Sequence, residues 1–146
     1  MTAPAPAKIA AKPSLIHVEW MGGHRFEAGR PNGPTARIDG DGETGQSPPE
    51  ALISALATCV SYDVIDILEK QRTPLQSLQV DVVGDRVDTV PRRYKAVTLN
   101  FRIAGKGIEK DQVLRAIDLA ATKYCSVRDS LRADIAVAWT VEVVGE

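Results

Sequence analysis

The segment beginning at Ser47 constrains the fold of this chain most strongly, because it marks the start of a long helix. Ser47 is a favourable N-cap residue, Pro48 suits the first helical position, and Glu50 completes a capping box three residues after the cap. The helix is expected to continue to about Gln71, since Pro74 bars any extension into the next element. Its first half is apolar almost all round, which is typical of a helix that is buried on most sides.

Alternating apolar and polar residues on both sides of this helix predict β-strands. The alternation is found before the helix at 16–20, around Phe26 and at 35–39, and after it at 78–82, 97–103 and 135–143. A second amphipathic helix is predicted from about Glu109 to Asp129. This order of elements predicts an α+β fold with a mainly antiparallel sheet.

The N-terminal residues 1–13 are rich in Ala and Pro and show no sustained apolar period, so we expect a flexible arm there. The remaining residues, 14–146, have the length of a single domain. No apolar run approaches the roughly 20 residues of a bilayer-spanning helix, and residues 1–13 lack the apolar stretch of an export signal. We therefore expect a cytoplasmic protein without a membrane partner.

The charges of the chain are almost balanced. Lysine and arginine together number 18 and aspartate and glutamate 19, which gives a net charge of -1 at pH 7. Such a chain has no overall basic field that would attract nucleic acid. Nucleic acid is therefore not expected among its partners.

The chain has two cysteines, Cys59 and Cys125, which lie far apart and match no zinc-ligand spacing. A metal site is therefore not expected. In a chain without an export signal, such thiols are more often reduced than permanently bridged. Their spacing alone leaves two interpretations open, because free cysteines serve either as small buried side chains or as reactive centres.

Two segments around the cysteines resemble the motifs of a known family. Residues 47–59, SPPEALISALATC, followed by DVIDIL at 63–68, resemble the first cysteine helix of the OsmC/Ohr family. KYCSV at 123–127 resembles the second cysteine motif of that family. The resemblance implies an intertwined homodimer with two central helices and active sites at the subunit interface. It also implies a thiol peroxidase that acts on organic hydroperoxides and needs no bound metal or cofactor.

The resemblance also implies a role for each cysteine. The Cys59 thiolate would attack the hydroperoxide and become a sulfenic acid, and Cys125 would then close a disulfide with Cys59. An external dithiol would restore both thiols. Leu56 is expected to belong to an apolar lining of the substrate pocket, which would favour organic hydroperoxides over hydrogen peroxide.

Cys59 needs a partner that stabilises its thiolate, because it lies twelve residues after Ser47 and the effect of a helix N-terminus fades within the first turn. The family uses an Arg of the first hairpin, held by a Glu that follows the capping Pro. Arg25 is the candidate, although an ungapped match places His24 at that position. Glu50 comes one residue late, about 100° around the helix, and its place in the capping box is an alternative explanation for it.

A second class of function stays open from the sequence. The displaced Glu50 and the two candidates for the cation, His24 and Arg25, are compatible with a dimeric protein that binds an apolar small molecule without efficient peroxidase turnover. Such a protein would keep the fold and the thiols of the family.

Overall fold

The computed structural model describes residues 10–145. The chain divides into two compact units, with the boundary between Pro48 and Pro49. The predicted N-terminal arm falls largely outside the described residues, and 10–13 have no regular secondary structure.

The first unit is a three-stranded antiparallel sheet. Its strands are β1 (His17–Trp20), β2 (Arg25–Gly29) and β3 (Thr35–Asp39), paired in the order β1-β2-β3. The hairpin and the short strand predicted from the period-two pattern are therefore confirmed. Gly22 and Gly23 adopt φ of 95° and 58° in the β1–β2 turn, which glycine tolerates without steric strain.

The first unit has almost no apolar core of its own. Among its described residues Asp39 alone is buried, while the large apolar side chains of β1, Val18 and Trp20, are exposed. The Asp39 carboxylate accepts hydrogen bonds from the backbone N–H groups of Asp41 and Thr44, both at 2.9 Å, and from the Thr44 hydroxyl at 2.7 Å. These bonds, the hydroxyl first, lower the pKa of Asp39 to about 2 and hold the glycine-rich loop after β3 in place.

The second unit contains the long helix, a second sheet and the remaining helices. Its elements are α1 (Pro48–Lys70), β4 (Ser77–Arg86), β5 (Tyr94–Ala104), α2 (Lys110–Leu119), a π-helical turn (Ala120–Tyr124), α3 (Ser126–Ser130) and β6 (Ala136–Val143). The sheet order is β4-β5-β6, with β4 antiparallel and β6 parallel to β5. The mainly antiparallel sheet is therefore interrupted by one parallel pair, because the α2 connection crosses over and returns the chain in the direction of β5.

The core of the second unit lies between one face of α1, the sheet and α2. Leu56, Val60, Val64 and Leu68 of α1 are fully buried together with residues of the other two elements, which include Leu99, Phe101, Ile103, Val113 and Ile117. Other sides of α1 remain open, since Leu52 in its first half is 43% exposed and Tyr62 and Ile65 in its second half are 67% and 42% exposed. The expectation that α1 is buried on most sides is therefore met on one face only within a single chain.

The apolar character of α1 bears on the expectation that no apolar run of the chain approaches the length of a bilayer-spanning helix. Its 23 residues reach a mean hydropathy of 1.7 over an 18-residue window, so by length and composition alone this helix is able to cross a bilayer. A core helix of a water-soluble protein meets the same criterion, and the inner face of α1 is such a core face.

The second predicted helix begins as expected but is not continuous. Glu109 precedes α2, and its backbone N–H donates to the Gln112 side chain at 3.4 Å. After Leu119 the helix widens into the π-helical turn, in which the N–H of Cys125 donates to the carbonyl of Ala120 at 2.8 Å. Cys125 itself has extended backbone angles, φ -74° and ψ 106°, so it separates two helices instead of lying inside one.

Candidate functional site

The fold of the second unit brings Cys59 and Cys125 together. Cys59 lies in the middle of α1 and is partly exposed, whereas Cys125 lies between the π-helical turn and α3 and is only 4% exposed. The Cys59 thiol is close enough to Cys125 to influence its pKa. Both residues are free thiols, and their sulfurs are not at bonding distance. A disulfide between them therefore requires a further approach of the two sulfurs.

Burial dominates the acidity of Cys125. Desolvation, together with a smaller contribution from the neighbouring Cys59 thiol, raises the pKa of Cys125 to about 11. The backbone N–H of Arg128, 3.3 Å from the Cys125 sulfur, acts in the opposite direction because it stabilises the thiolate. Cys125 is therefore protonated near neutral pH, and Cys59 is the more exposed of the two thiols.

Arg128 fixes the chain on the far side of Cys125. Its guanidinium donates to the backbone carbonyls of Arg132 at 3.0 Å, Ala133 at 3.3 Å and Ile135 at 3.0 Å. The backbone N–H of Arg128 donates to the Cys125 sulfur. Arg128 therefore connects the thiol to the loop before β6. Sequence analysis missed Arg128; its spacing of three residues after Cys125 fits an N-cap arrangement, but nothing in the sequence indicates the three carbonyl contacts.

A polar cleft opens beside Cys125. Its volume is about 550 Å³. It is lined by residues of the π-helical turn, α3 and the loop that follows, namely Ala121, Thr122, Lys123, Tyr124, Cys125, Ser126, Arg128, Asp129, Leu131 and Ala133. The Lys123 ammonium lies 5.4 Å from the centre of the Tyr124 ring, a cation–π distance. The cleft thus offers access to the neighbourhood of an otherwise buried sulfur.

A second, more apolar groove of about 500 Å³ runs between the exposed face of α1 and β4. Its lining includes Ala57, Tyr62, Ile65, Leu78, Val80 and Val82. Leu56, the residue expected in a substrate pocket, lies instead in the core with none of its surface exposed, and it lines neither of these two cavities.

The candidates for the activating cation lie in the first unit. His24, in the β1–β2 turn, pairs its Nδ1 with an Asp41 carboxylate oxygen at 2.9 Å. This hydrogen bond and the charge of Asp41 raise the pKa of His24, which favours its protonated form. Arg25 follows as the first residue of β2 and is exposed. The predicted action of either residue on Cys59 stays a prediction.

Glu50 lies in the first turn of α1 and influences Tyr94, a residue that sequence analysis did not single out. Burial raises the pKa of the Tyr94 phenol, Arg86 lowers it, and the negative charge of Glu50 raises it. Glu50 is itself exposed at the N-terminal end of the helix. Its predicted catalytic role and its capping role both remain predictions. Within residues 10–145 no group of three His, Cys, Asp or Glu side chains is placed to hold a metal ion.

Comparisons with known proteins agree with this architecture. Residues 40–140 match the family model described as OsmC-like protein. Protein YhfA of Escherichia coli K12 is 32% identical over 128 residues, which cover 87% of this chain and 96% of that protein.

Two solved structures superpose over most of their length. The OsmC-like protein from Mycoplasma pneumoniae has a TM-score of 0.78 at 17% identity and covers 93% of this chain and 100% of that one. A protein from Legionella pneumophila, described as an organic hydroperoxide resistance protein OsmC and predicted redox protein, has a TM-score of 0.67 at 15% identity, with 92% and 100% covered. At such identities the likeness shows a shared fold.

Proposed function

This chain belongs to the OsmC-like protein family, and we propose that it is a homodimeric thiol peroxidase that reduces organic hydroperoxides through Cys59 and Cys125. The observation that carries the proposal is the pair of free thiols brought together by α1 and the segment after α2. The description of the Legionella pneumophila structure as an organic hydroperoxide resistance protein adds support.

The first proposed step is the oxidation of Cys59. Its thiolate attacks the distal oxygen of the hydroperoxide, the O–O bond breaks, and the leaving alkoxide takes a proton to become an alcohol. Cys59 then carries a sulfenic acid. This role suits Cys59 better than Cys125, because Cys59 is partly exposed while Cys125 is buried with a raised pKa.

The second proposed step is the closure of a disulfide. Cys125 loses its proton and attacks the Cys59 sulfenic sulfur, and the hydroxyl leaves as water. An external dithiol of the cytoplasm then reduces the disulfide to two thiols. The protein supplies both sulfurs, so the cycle uses no bound cofactor.

The Cys59 thiolate also needs electrostatic support. The N-terminus of α1 is too distant to provide it, since its influence fades within the first turn. We propose that Arg25 or His24 supplies the positive charge and that Glu50 orients it. His24 is suited to this role in its protonated state, which the Asp41 carboxylate favours.

The proposed homodimer is supported by the distribution of apolar surface. The face of α1 that carries Tyr62 and Ile65 is exposed in the single chain, and so are Val18 and Trp20 of β1. Exposed apolar surface of this kind is typical of a protein–protein interface. Covering these residues with a second copy would remove them from water.

A titration of the reduced protein tests the proposal. Cumene hydroperoxide is added in stoichiometric steps, free thiols are counted, and disulfides are mapped by mass spectrometry. We expect the loss of two thiols per chain and a Cys59–Cys125 bridge. Cys59→Ser should abolish peroxide consumption, whereas Cys125→Ser should consume one equivalent and stop at a sulfenic acid. Thiols that persist at stoichiometric peroxide would contradict the peroxidase.

The apolar groove between α1 and β4 favours one alternative, a dimeric protein that binds an apolar small molecule. Native mass spectrometry of the purified protein distinguishes the two functions. A retained apolar ligand together with unreactive thiols would support binding, and ligand-free protein with peroxide-reactive thiols would support the peroxidase.

A further inference from the structure

The cleft beside Cys125 has no part in the oxidative steps described above, yet it reaches the sulfur that those steps leave in a disulfide. Cys125 contributes to its lining, whereas Cys59 is absent from the residues that line it. A molecule that enters this cleft therefore meets the Cys125 side of the disulfide. The cleft is therefore a candidate route for the reductant that opens the disulfide.

The walls of the cleft carry more positive than negative charge. Lys123 and Arg128 are cationic and Asp129 is anionic, and all three line the cleft. The Arg128 guanidinium is committed to three backbone carbonyls, while the Lys123 ammonium lies over the Tyr124 ring at 5.4 Å and is exposed. An excess of positive charge raises the local concentration of anions, and the attacking species in thiol–disulfide exchange is a thiolate.

We propose, resting on the peroxidase cycle above, that the reducing dithiol enters through this cleft, attacks the Cys125 sulfur, and carries a carboxylate that pairs with Lys123. The thiolate forms a bond to the Cys125 sulfur, and the Cys59–Cys125 bond breaks with its electron pair on Cys59, which takes a proton. The second sulfur of the dithiol then attacks the bound one. Cys125 leaves as a thiolate and is protonated, and the reductant departs as a disulfide.

The chemistry of the leaving group favours the same direction of attack. A thiol–disulfide exchange is faster when the expelled thiol is more acidic. An attack on Cys59 would expel Cys125, whose pKa is raised to about 11 by burial. An attack on Cys125 expels Cys59 in the first, intermolecular exchange, so Cys125 departs only in the second exchange, where the attacking thiol is already bound to it.

The experiment starts from the full chain closed to its disulfide with diamide, so that it does not depend on peroxide turnover. The probes are 3-mercaptopropionate and cysteamine, an anionic and a cationic monothiol, and each rate is divided by the rate of the same thiol with a small reference disulfide. Samples are quenched in acid within the first turnover, and the mixed disulfide is located by mass spectrometry. Lys123→Gln is compared with Lys106→Gln, an exposed lysine outside the cleft.

We expect the mixed disulfide on Cys125 and a corrected rate roughly threefold or more higher for the anionic probe, as a surface charge pair would give. This preference should shrink in Lys123→Gln and persist in Lys106→Gln. Adducts on Cys59, or a charge preference unaffected by Lys123→Gln, would overturn the inference and leave the peroxidase proposal intact. Failure of diamide to close a Cys59–Cys125 disulfide would overturn both.

Discussion

Two opposing influences act on the sulfur of Cys125. The Arg128 N–H stabilises the thiolate, and desolvation destabilises it. Desolvation is the larger effect, because the pKa rises to about 11. The thiol is therefore a weak nucleophile near neutral pH, although it is held next to its target. This combination makes disulfide closure sensitive to pH.

The first prediction concerns that step. After rapid oxidation of Cys59, the rate of Cys59–Cys125 closure should rise with pH by up to tenfold per unit, since the thiolate fraction of Cys125 grows in this way below its raised pKa of about 11. The sulfenic acid on Cys59, captured with dimedone, should therefore decay faster at pH 9 than at pH 7. Cys125→Ser is the control, and its sulfenic acid should persist at both values. Equal decay in the parent protein at both pH values would contradict a protonated Cys125.

Arg128 provides a second prediction at this scale. Arg128→Ala removes three hydrogen bonds from a guanidinium to backbone carbonyls, and bonds to a charged group are the stronger kind. We expect the free energy of unfolding to fall by about 2 kcal/mol and disulfide closure to become slower, because the loop before β6 is released. Urea unfolding measures the first effect. Arg132→Ala, which breaks only an exposed ion pair with Asp134, should leave the free energy of unfolding almost unchanged. A comparable loss of stability in both variants would contradict the special role of Arg128.

At the scale of elements, local signals predicted α1 well and the second helix only in part. The start of α1 depends on neighbouring residues alone, namely a cap, a proline and the run that follows, and it begins at Pro48 as expected. The apolar stripe of the second helix continues past Leu119 through Ala120 and Ala121, so its periodicity gives no warning of the π-helical turn. The break at Cys125 coincides with the hydrogen bonds that Arg128 makes to the Cys125 sulfur and to the loop before β6, which the apolar pattern does not contain.

The pairing of β4 with β5 provides a prediction about packing. A Cβ added at Gly84 would lie 2.5 Å from Cε1 of the Tyr94 ring and 3.1 Å from Cδ1 of Ile53. Tyr94 is buried and has little room to move away. Gly84→Ala should therefore lower the free energy of unfolding by about 1–3 kcal/mol through overpacking. Gly145→Ala, where a Cβ meets no atom within 4 Å, is the control. If Gly84→Ala left the free energy of unfolding unchanged, the Tyr94 ring would have to move aside at little cost, which would contradict the prediction.

For the whole molecule, sequence analysis predicted the α+β class and the family, because these depend on patterns within each segment. It did not predict the burial of Leu56 or the cleft beside Cys125, since both depend on how segments distant in the sequence meet. It also overstated the burial of α1. The exposed apolar face of α1 is typical of an interface, and in a single chain no other segment of residues 10–145 covers it.

The last prediction concerns that partner. The purified protein should have a solution mass of twice 15.8 kDa by light scattering. Ile65→Asp places a charge on the exposed apolar face of α1, and burying it in an interface would be costly, so this variant should shift towards the monomer mass. Thr89→Asp adds the same charge to an exposed loop and should leave the mass unchanged. A monomeric parent protein would contradict the homodimer. A variant of Ile65 that keeps the parent mass would place the interface elsewhere than on this face of α1.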